Sequence, residues 1–84
     1  MITLKGLLEA IPNNQVIQLD IWNGDETIYT GTKQEMEDFH IEIEMQYEDY
    51  ELAQVTSKVN DKRDLVIHIL MFDYLGHEPK ENDE

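Results

Sequence analysis

The stretch that decides the fold of this chain reads EMEDFHIEIEMQYEDYE and runs from Glu35 to Glu51. Eight of its residues are carboxylates, and no Lys or Arg occurs between Lys33 and Lys58. Over residues 41–48, Ile, Met and Tyr alternate with acidic or amide residues. Read as a strand, this alternation places an apolar row on the core and an acidic row in water.

The same stretch also fits a helix. Residues 32–35 (TKQE) have the form of a capping box, in which the Thr and Glu side chains satisfy each other's backbone amides. A helix is therefore predicted to begin at Lys33, and apolar residues continue at helical spacing from Met36 to Tyr47. We interpret residues 40–47 as a strand because the alternation is strict, and a helix that runs on toward Tyr47 is the alternative.

The chain before this stretch predicts a helix and a hairpin. Thr3 can cap a short helix whose apolar stripe ends at Ile11. Residues 15–22 alternate apolar and polar side chains as a strand does, and residues 26–30 form its return strand. Asn23-Gly24 between them is typical of a tight hairpin turn, because both residues accept positive φ.

The chain after the stretch predicts two more strands, residues 51–59 and 64–72. The second is apolar on both faces and β-branched, which is typical of a central, well-covered strand. The predicted fold class is α+β: a small single domain (residues 1–76) with an antiparallel sheet of four to five strands and two short helices. Residues 77–84 are predicted to be an acidic flexible tail.

Composition restricts the class of protein. The chain has 84 residues, 40% of them hydrophobic, which suits one compact domain. It has no cysteine, so it has neither a disulfide framework nor a thiolate metal site. Its first residues are too short and too amphipathic for a signal peptide, and no apolar run could cross a bilayer. We expect a soluble cytoplasmic protein.

The charge balance is the outlier. Nineteen acidic residues face six basic ones, a formal net charge of −13. Such a charge repels nucleic acid and anionic membranes, so direct binding to either is not expected. One interpretation is solubility or adaptation to high salt. The other is that the charge is directed at a basic partner, and the clustering of carboxylates favours the second.

On a strand, carboxylates two residues apart would lie roughly 6.7 Å apart on one face. Phosphates of one DNA strand advance about 3.4 Å along the axis and further around it, a similar scale. A row formed by Glu42, Glu44 and Glu48 could thus imitate a nucleic-acid backbone and bind a basic cleft. Aromatic residues beside the charges would anchor the contact. The predicted partner-binding residues are Glu35, Glu37, Asp38, Glu42, Glu44, Tyr47, Glu48, Asp49, Tyr50 and Glu51.

No pattern indicates catalysis or a cofactor. The chain has no Gly-rich phosphate loop and no locally supported Ser-His-Asp set, and its carboxylates are too plentiful for any pair to be informative. The spacing of an EF-hand loop is missing, so weak, non-specific cation binding is the most that the acidic residues predict. His68 lies among apolar residues and is interpreted as a satisfied core or edge histidine.

The segments MITLKGLLEAIPNNQVIQLDIW, NGDETIYTGT, YELAQV and DLVIHIL resemble small accessory proteins of phages and prophages of Gram-positive bacteria. The resemblance covers about residues 1–71 and is one of layout. It implies a phage-encoded protein that acts in a bacterial host cell. Some small acidic proteins of this kind are anti-CRISPR proteins that imitate DNA.

We therefore predict a non-enzymatic DNA mimic that occupies a basic nucleic-acid-binding site. The most plausible partner is a Cas9-type nuclease with its guide RNA, blocked at the site that reads the protospacer-adjacent motif (PAM) or in the DNA channel. The alternative is a phage assembly or regulatory module without DNA mimicry, which binds a partner or a second copy of itself through an apolar edge and so forms a homo-oligomer.

Overall fold

The computed structural model of the chain describes residues 2–22, 24 and 27–75. These residues form three helices and four strands. In chain order the elements are α1 (Leu4–Leu8), β1 (Val16–Ile21), β2 (Thr27–Thr32), α2 (Lys33–Phe39), α3 (Ile41–Tyr47), β3 (Tyr50–Val59) and β4 (Leu65–Leu75). The predicted tail and Asn23 of the predicted hairpin turn lie outside the described residues.

The sheet is mixed, with strand order β2-β1-β4-β3. The pairs β1–β2 and β3–β4 are antiparallel, as the predicted antiparallel sheet requires, but β1 and β4 are parallel. The prediction of an antiparallel sheet is therefore wrong for the central pair. The reason is the connection between the edge strands: β2 and β3 run in the same direction, and only a long crossover, here α2 and α3, can join parallel strands.

The predicted strand over residues 40–47 is also wrong, because residues 41–47 form α3. The alternative of one continuous helix does not hold either. His40, with φ −139° and ψ 39°, ends α2 and precedes α3, and its N–H donates to the carbonyl of Met36. The fold thus has three short helices where two were predicted. The strict alternation of apolar and polar residues indicated a strand, but the same residues also fit a helix. Ile43 and Tyr47 are four residues apart and share one helix face.

One face of the sheet carries the core. Ile17 and Leu19 of β1 and Ile69 and Met71 of β4 are fully buried there. The helices cover them with a second group of buried residues, Leu4, Leu8, Ile11 and Met36. The prediction that residues 64–72 form a central, well-covered strand is confirmed by β4, which pairs on both sides. It has buried residues on both faces, with Ile69 and Met71 on the core face and Val66 on the opposite face.

The helix starts agree with the sequence. The Oγ1 atom of Thr3 accepts from the N–H of Gly6 at the start of α1. At the start of α2, the N–H of Glu35 donates to Thr32 Oγ1 and the N–H of Thr32 donates to Glu35 Oε1, each over 3.1 Å. The predicted capping box is confirmed, and it fixes the direction in which α2 leaves β2.

The opposite face of the sheet carries a polar group at its centre. His68 Nε2 lies 2.6 Å from Asp20 Oδ2, and the Gln18 side-chain amide donates to the same oxygen over 3.1 Å. Both His68 and Asp20 are partly buried, on the parallel strands β4 and β1. The contact ties the two central strands together, in agreement with the interpretation of His68 as a satisfied histidine.

Candidate functional site

The predicted partner-binding residues all lie on one segment, residues 33–51, which we call the acidic arm. It consists of α2, α3 and the turn into β3. Eight carboxylates face one lysine, so the arm has a formal charge of −7. Its start is fixed by the capping box, and its end is fixed by the N–H of Lys5, which donates to the carbonyl of Glu48 over 2.9 Å.

Lys33 is the single Lys or Arg residue of the arm, and its side chain contacts the rest of the domain. Its side chain is 11% exposed, and its Nζ donates to the carbonyl of Ile11 over 3.0 Å. The same Nζ lies 4.0 Å from a carboxylate oxygen of Glu37. Because Lys33 is largely covered, it offers little positive charge to a partner. The exposed charge of the acidic arm is therefore almost entirely negative.

Three carboxylates crowd together where α2 and α3 meet. The pKa of Glu44 is raised, chiefly by desolvation and then by the charges of Glu37 and Glu48, while Lys33 opposes the shift. Glu44 Oε1 is buried without a hydrogen-bond partner among the described residues. An environment that resists the charge of Glu44 is one that a cation from outside would relieve.

The remaining carboxylates of the acidic arm differ in their exposure and in the contacts that they make. Asp38 is exposed, and its Oδ1 accepts from the Gln34 side chain over 2.9 Å. Glu42 is 73% exposed and lies 4.0 Å from His40 Nδ1, an exposed contact that binds weakly. Asp49 is exposed in the turn before β3. Glu35 serves the capping box, and Glu51 is half-buried and bridges to Thr3.

The helical conformation changes the geometry of the carboxylate row that was predicted to imitate phosphates. On α3, Glu44 and Glu48 are four residues apart and share a face, whereas Glu42 lies more than half a turn away from Glu44. A regular spacing of roughly 6.7 Å along one line does not exist there. The carboxylates are concentrated on one arm, but no strand sets them out in a row.

The two tyrosines predicted as anchors, Tyr47 and Tyr50, pack against the core. Their rings meet edge to face with centroids 4.8 Å apart. Burial, followed by the neighbouring Tyr47 and Asp73, raises the pKa of Tyr50. These contacts join the end of α3 to the start of β3, and both tyrosines are half-buried.

Other apolar residues of the acidic arm are far more exposed. Phe39 is 74% exposed, Ile41 45% and Met45 66%. We call these three residues the apolar group of the arm. The sequence predicted Ile41 and Met45 on the core side, because a strand turns Ile41, Ile43, Met45 and Tyr47 to one face. The signal that distinguishes them is helical: Ile43 and Tyr47 share the core face, and Ile41 and Met45 share another.

Among residues 2–22, 24 and 27–75, no group of three or more His, Asp or Glu side chains is arranged to hold a metal ion. Within those ranges the longest helices have seven residues, and no helix is long and apolar enough to cross a membrane.

Comparison with protein-family models, with curated proteins and with solved structures finds no match to this chain.

Proposed function

We propose that this protein is a non-enzymatic inhibitor that binds a basic nucleic-acid-binding site on another protein through its acidic arm. The most plausible partner class is a Cas9-type nuclease with its guide RNA, which holds nucleic acid in a positively charged channel. One observation carries the proposal: eight carboxylates share an arm whose only Lys or Arg residue, Lys33, is 11% exposed.

Attraction would operate in two steps. At long range, the field of the acidic arm steers a cationic groove toward it. At short range, Arg and Lys side chains of the partner form charge-assisted hydrogen bonds to the exposed carboxylates. Asp38, Glu42 and Asp49 are all exposed and are the residues best placed to make them.

The apolar group of the arm gives the proposed contact a second component. Interfaces gain most of their affinity from a few apolar or aromatic anchors, and charged rims add steering and specificity. Phe39, Ile41 and Met45 are exposed between carboxylates at positions 38, 42 and 44. The acidic arm therefore combines the charge that imitates phosphates with side chains that a groove could cover.

The test is inhibition of target-DNA cleavage by a Cas9-type ribonucleoprotein from a Gram-positive host. The test variant carries Asp38→Asn, Glu42→Gln and Asp49→Asn. We expect inhibition roughly three- to 150-fold weaker, since three exposed ion pairs of about 0.2–1 kcal/mol each contribute about 0.6–3 kcal/mol in total. The matched control carries Glu9→Gln, Asp61→Asn and Asp64→Asn, three exposed residues outside the arm, with the same change of net charge.

The control should inhibit like the unmodified protein. Equal loss in both variants would mean that net charge alone acts, and equal retention would mean that the acidic arm is not the binding surface. Absence of inhibition by the unmodified protein would overturn this choice of partner.

A further inference from the structure

The sheet has one edge strand that is left uncovered over half its length. At its start, β3 is paired on its outer side, because the N–H of Leu52 donates to the carbonyl of Ile2 and Thr3 bridges to Glu51. Beyond Ala53, β3 is the last strand of the sheet. Every side chain from Gln54 to Val59 is exposed.

This uncovered part has apolar side chains on the helix side of the sheet. Val55 pairs with the buried Ile69, and Val59 pairs with Leu65, so all four side chains lie on the face that carries the core. Yet Val55 is 43% exposed, Val59 66% and Leu65 54%. An open depression of about 500 Å³ lies at Val55. Its other lining residues are Ile2, Leu52, Ala53 and Gln54.

The charge of this region is opposite to that of the rest of the chain. Residues 53–65, which we call the neutral hairpin, carry Lys58, Lys62 and Arg63 against Asp61 and Asp64, a net charge of +1. The remainder of the chain therefore carries −14, since the total is −13. Two copies that meet through this nearly neutral region avoid the repulsion that their acidic surfaces would produce.

We infer that the free edge of β3 pairs with β3 of a second copy of this chain, in antiparallel orientation. The two four-stranded sheets then form one sheet of eight strands, and the outward amides and carbonyls of residues 53–59 find partners. With Thr56 opposite Thr56, Lys58 lies opposite Gln54, so no like charges meet. On the helix side, each Val55 then lies opposite Ser57 and each Val59 opposite Ala53 of the other copy, which brings small and apolar side chains together.

The position of the acidic arm makes a second copy the fitting occupant. The arm begins on the other edge strand, since α2 follows β2 directly and packs on it. Pairing through β3 therefore places the first turns of the two arms at opposite ends of the eight-stranded sheet. The strongly acidic copies meet where their own surfaces carry no carboxylate between Glu51 and Asp61.

The test is molecular mass by sedimentation velocity, from about 1 µM to about 1 mM, which covers the Kd values of weak interfaces. We expect the mass to rise from 9.9 kDa to twice that value, and to rise at lower concentration when salt screens the repulsion. The variant Val55→Lys should stay monomeric. The matched control Thr30→Lys, on the exposed β2 edge, changes the net charge equally and should still dimerise.

A second measurement does not depend on how well a lysine is tolerated. The chain has no cysteine, so Thr56→Cys adds a single thiol at the proposed two-fold axis. Oxidation should give a disulfide-linked dimer from Thr56→Cys and far less from Thr30→Cys. A mass of 9.9 kDa at every concentration, a dimer that survives Val55→Lys, or equal cross-linking of the two cysteine variants would each overturn the inference.

Discussion

The acidic arm and the neutral hairpin are the two most contrasting regions of this molecule. The arm (residues 33–51) has a formal charge of −7, and its helices bury Met36 completely in the core. The hairpin (residues 53–65) has a charge of +1, and β3 has no buried residue from Gln54 onward. Two adjacent segments of one small domain thus carry contrasting surfaces, one strongly acidic and the other with almost no net charge.

The contrast also predicts opposite responses to salt. Contacts between the acidic arm and a basic groove weaken as ions screen the attraction. Self-pairing of the neutral hairpin becomes stronger, because screening reduces the repulsion between two molecules of charge −13. A change of ionic strength therefore separates the two proposals in a single protein preparation.

The largest effect on stability is expected where the arm enters the core. Met36 is fully buried, so Met36→Ala should lower the free energy of unfolding by about 2–5 kcal/mol. The matched change in the hairpin is Val59→Ala, which should cost less than about 0.5 kcal/mol because Val59 is 66% exposed. Urea denaturation measures both. Similar losses would show that the hairpin is as well covered as the arm.

A smaller effect is expected from the start of α2. Thr32→Ala removes the oxygen that accepts the N–H of Glu35, and losing such a cap typically costs about 1 kcal/mol. Thr56→Ala, at an exposed position of the hairpin, serves as the control and should change stability by less than about 0.5 kcal/mol. If the Thr32 variant unfolds at the same urea concentration as the unmodified protein, the capping box does not hold the arm in place.

The smallest effect comes from the crowded carboxylates of the arm. The raised pKa of Glu44 means that its charge disfavours the folded state at neutral pH. That cost disappears as the pH falls toward 4.5, the ordinary value for the group, because Glu44 then takes up a proton. Glu44→Gln should therefore raise the Tm at pH 7 and give a shrinking gain at lower pH.

The control for this change is Glu42→Gln, which removes the same charge from a side chain that is 73% exposed. It should shift the Tm less than Glu44→Gln at pH 7. Thermal unfolding between pH 4.5 and pH 7 gives both profiles. A gain in Tm from Glu44→Gln that grows as the pH falls would contradict the raised pKa of Glu44.

The local elements of the fold could be predicted from the sequence, and its connectivity could not. The cap at Thr3 and the capping box at Thr32 depend on neighbouring residues and are confirmed, and β1 pairs with β2 in antiparallel orientation as the predicted hairpin requires. The parallel pairing of β1 with β4 depends on whether residues 41–47 cross the sheet as a helix. The alternation in that segment fits both the two-residue period of a strand and the helical period of about 3.6 residues. Packing against the core therefore decides between strand and helix.

The acidic surface was predictable to the same extent. Charge density is visible in the sequence, and the arm that carries it is the segment that was singled out. Which apolar residues stay exposed is decided by the helical period. It turns Ile41 and Met45 outward and half-buries Tyr47 beside Tyr50. Tyr47 and Tyr50 as anchors remain a prediction, and Phe39, Ile41 and Met45 are the more accessible candidates.

The central claim is that exposed carboxylates of the acidic arm bind a cationic groove. The most direct measurement is the salt dependence of the Kd for a Cas9-type ribonucleoprotein. It compares the unmodified protein with the Asp38→Asn, Glu42→Gln, Asp49→Asn variant and with its matched control. We predict that the plot of log Kd against log salt is steep for the protein and the control and distinctly shallower for the arm variant. Equal slopes for all three proteins would contradict the account.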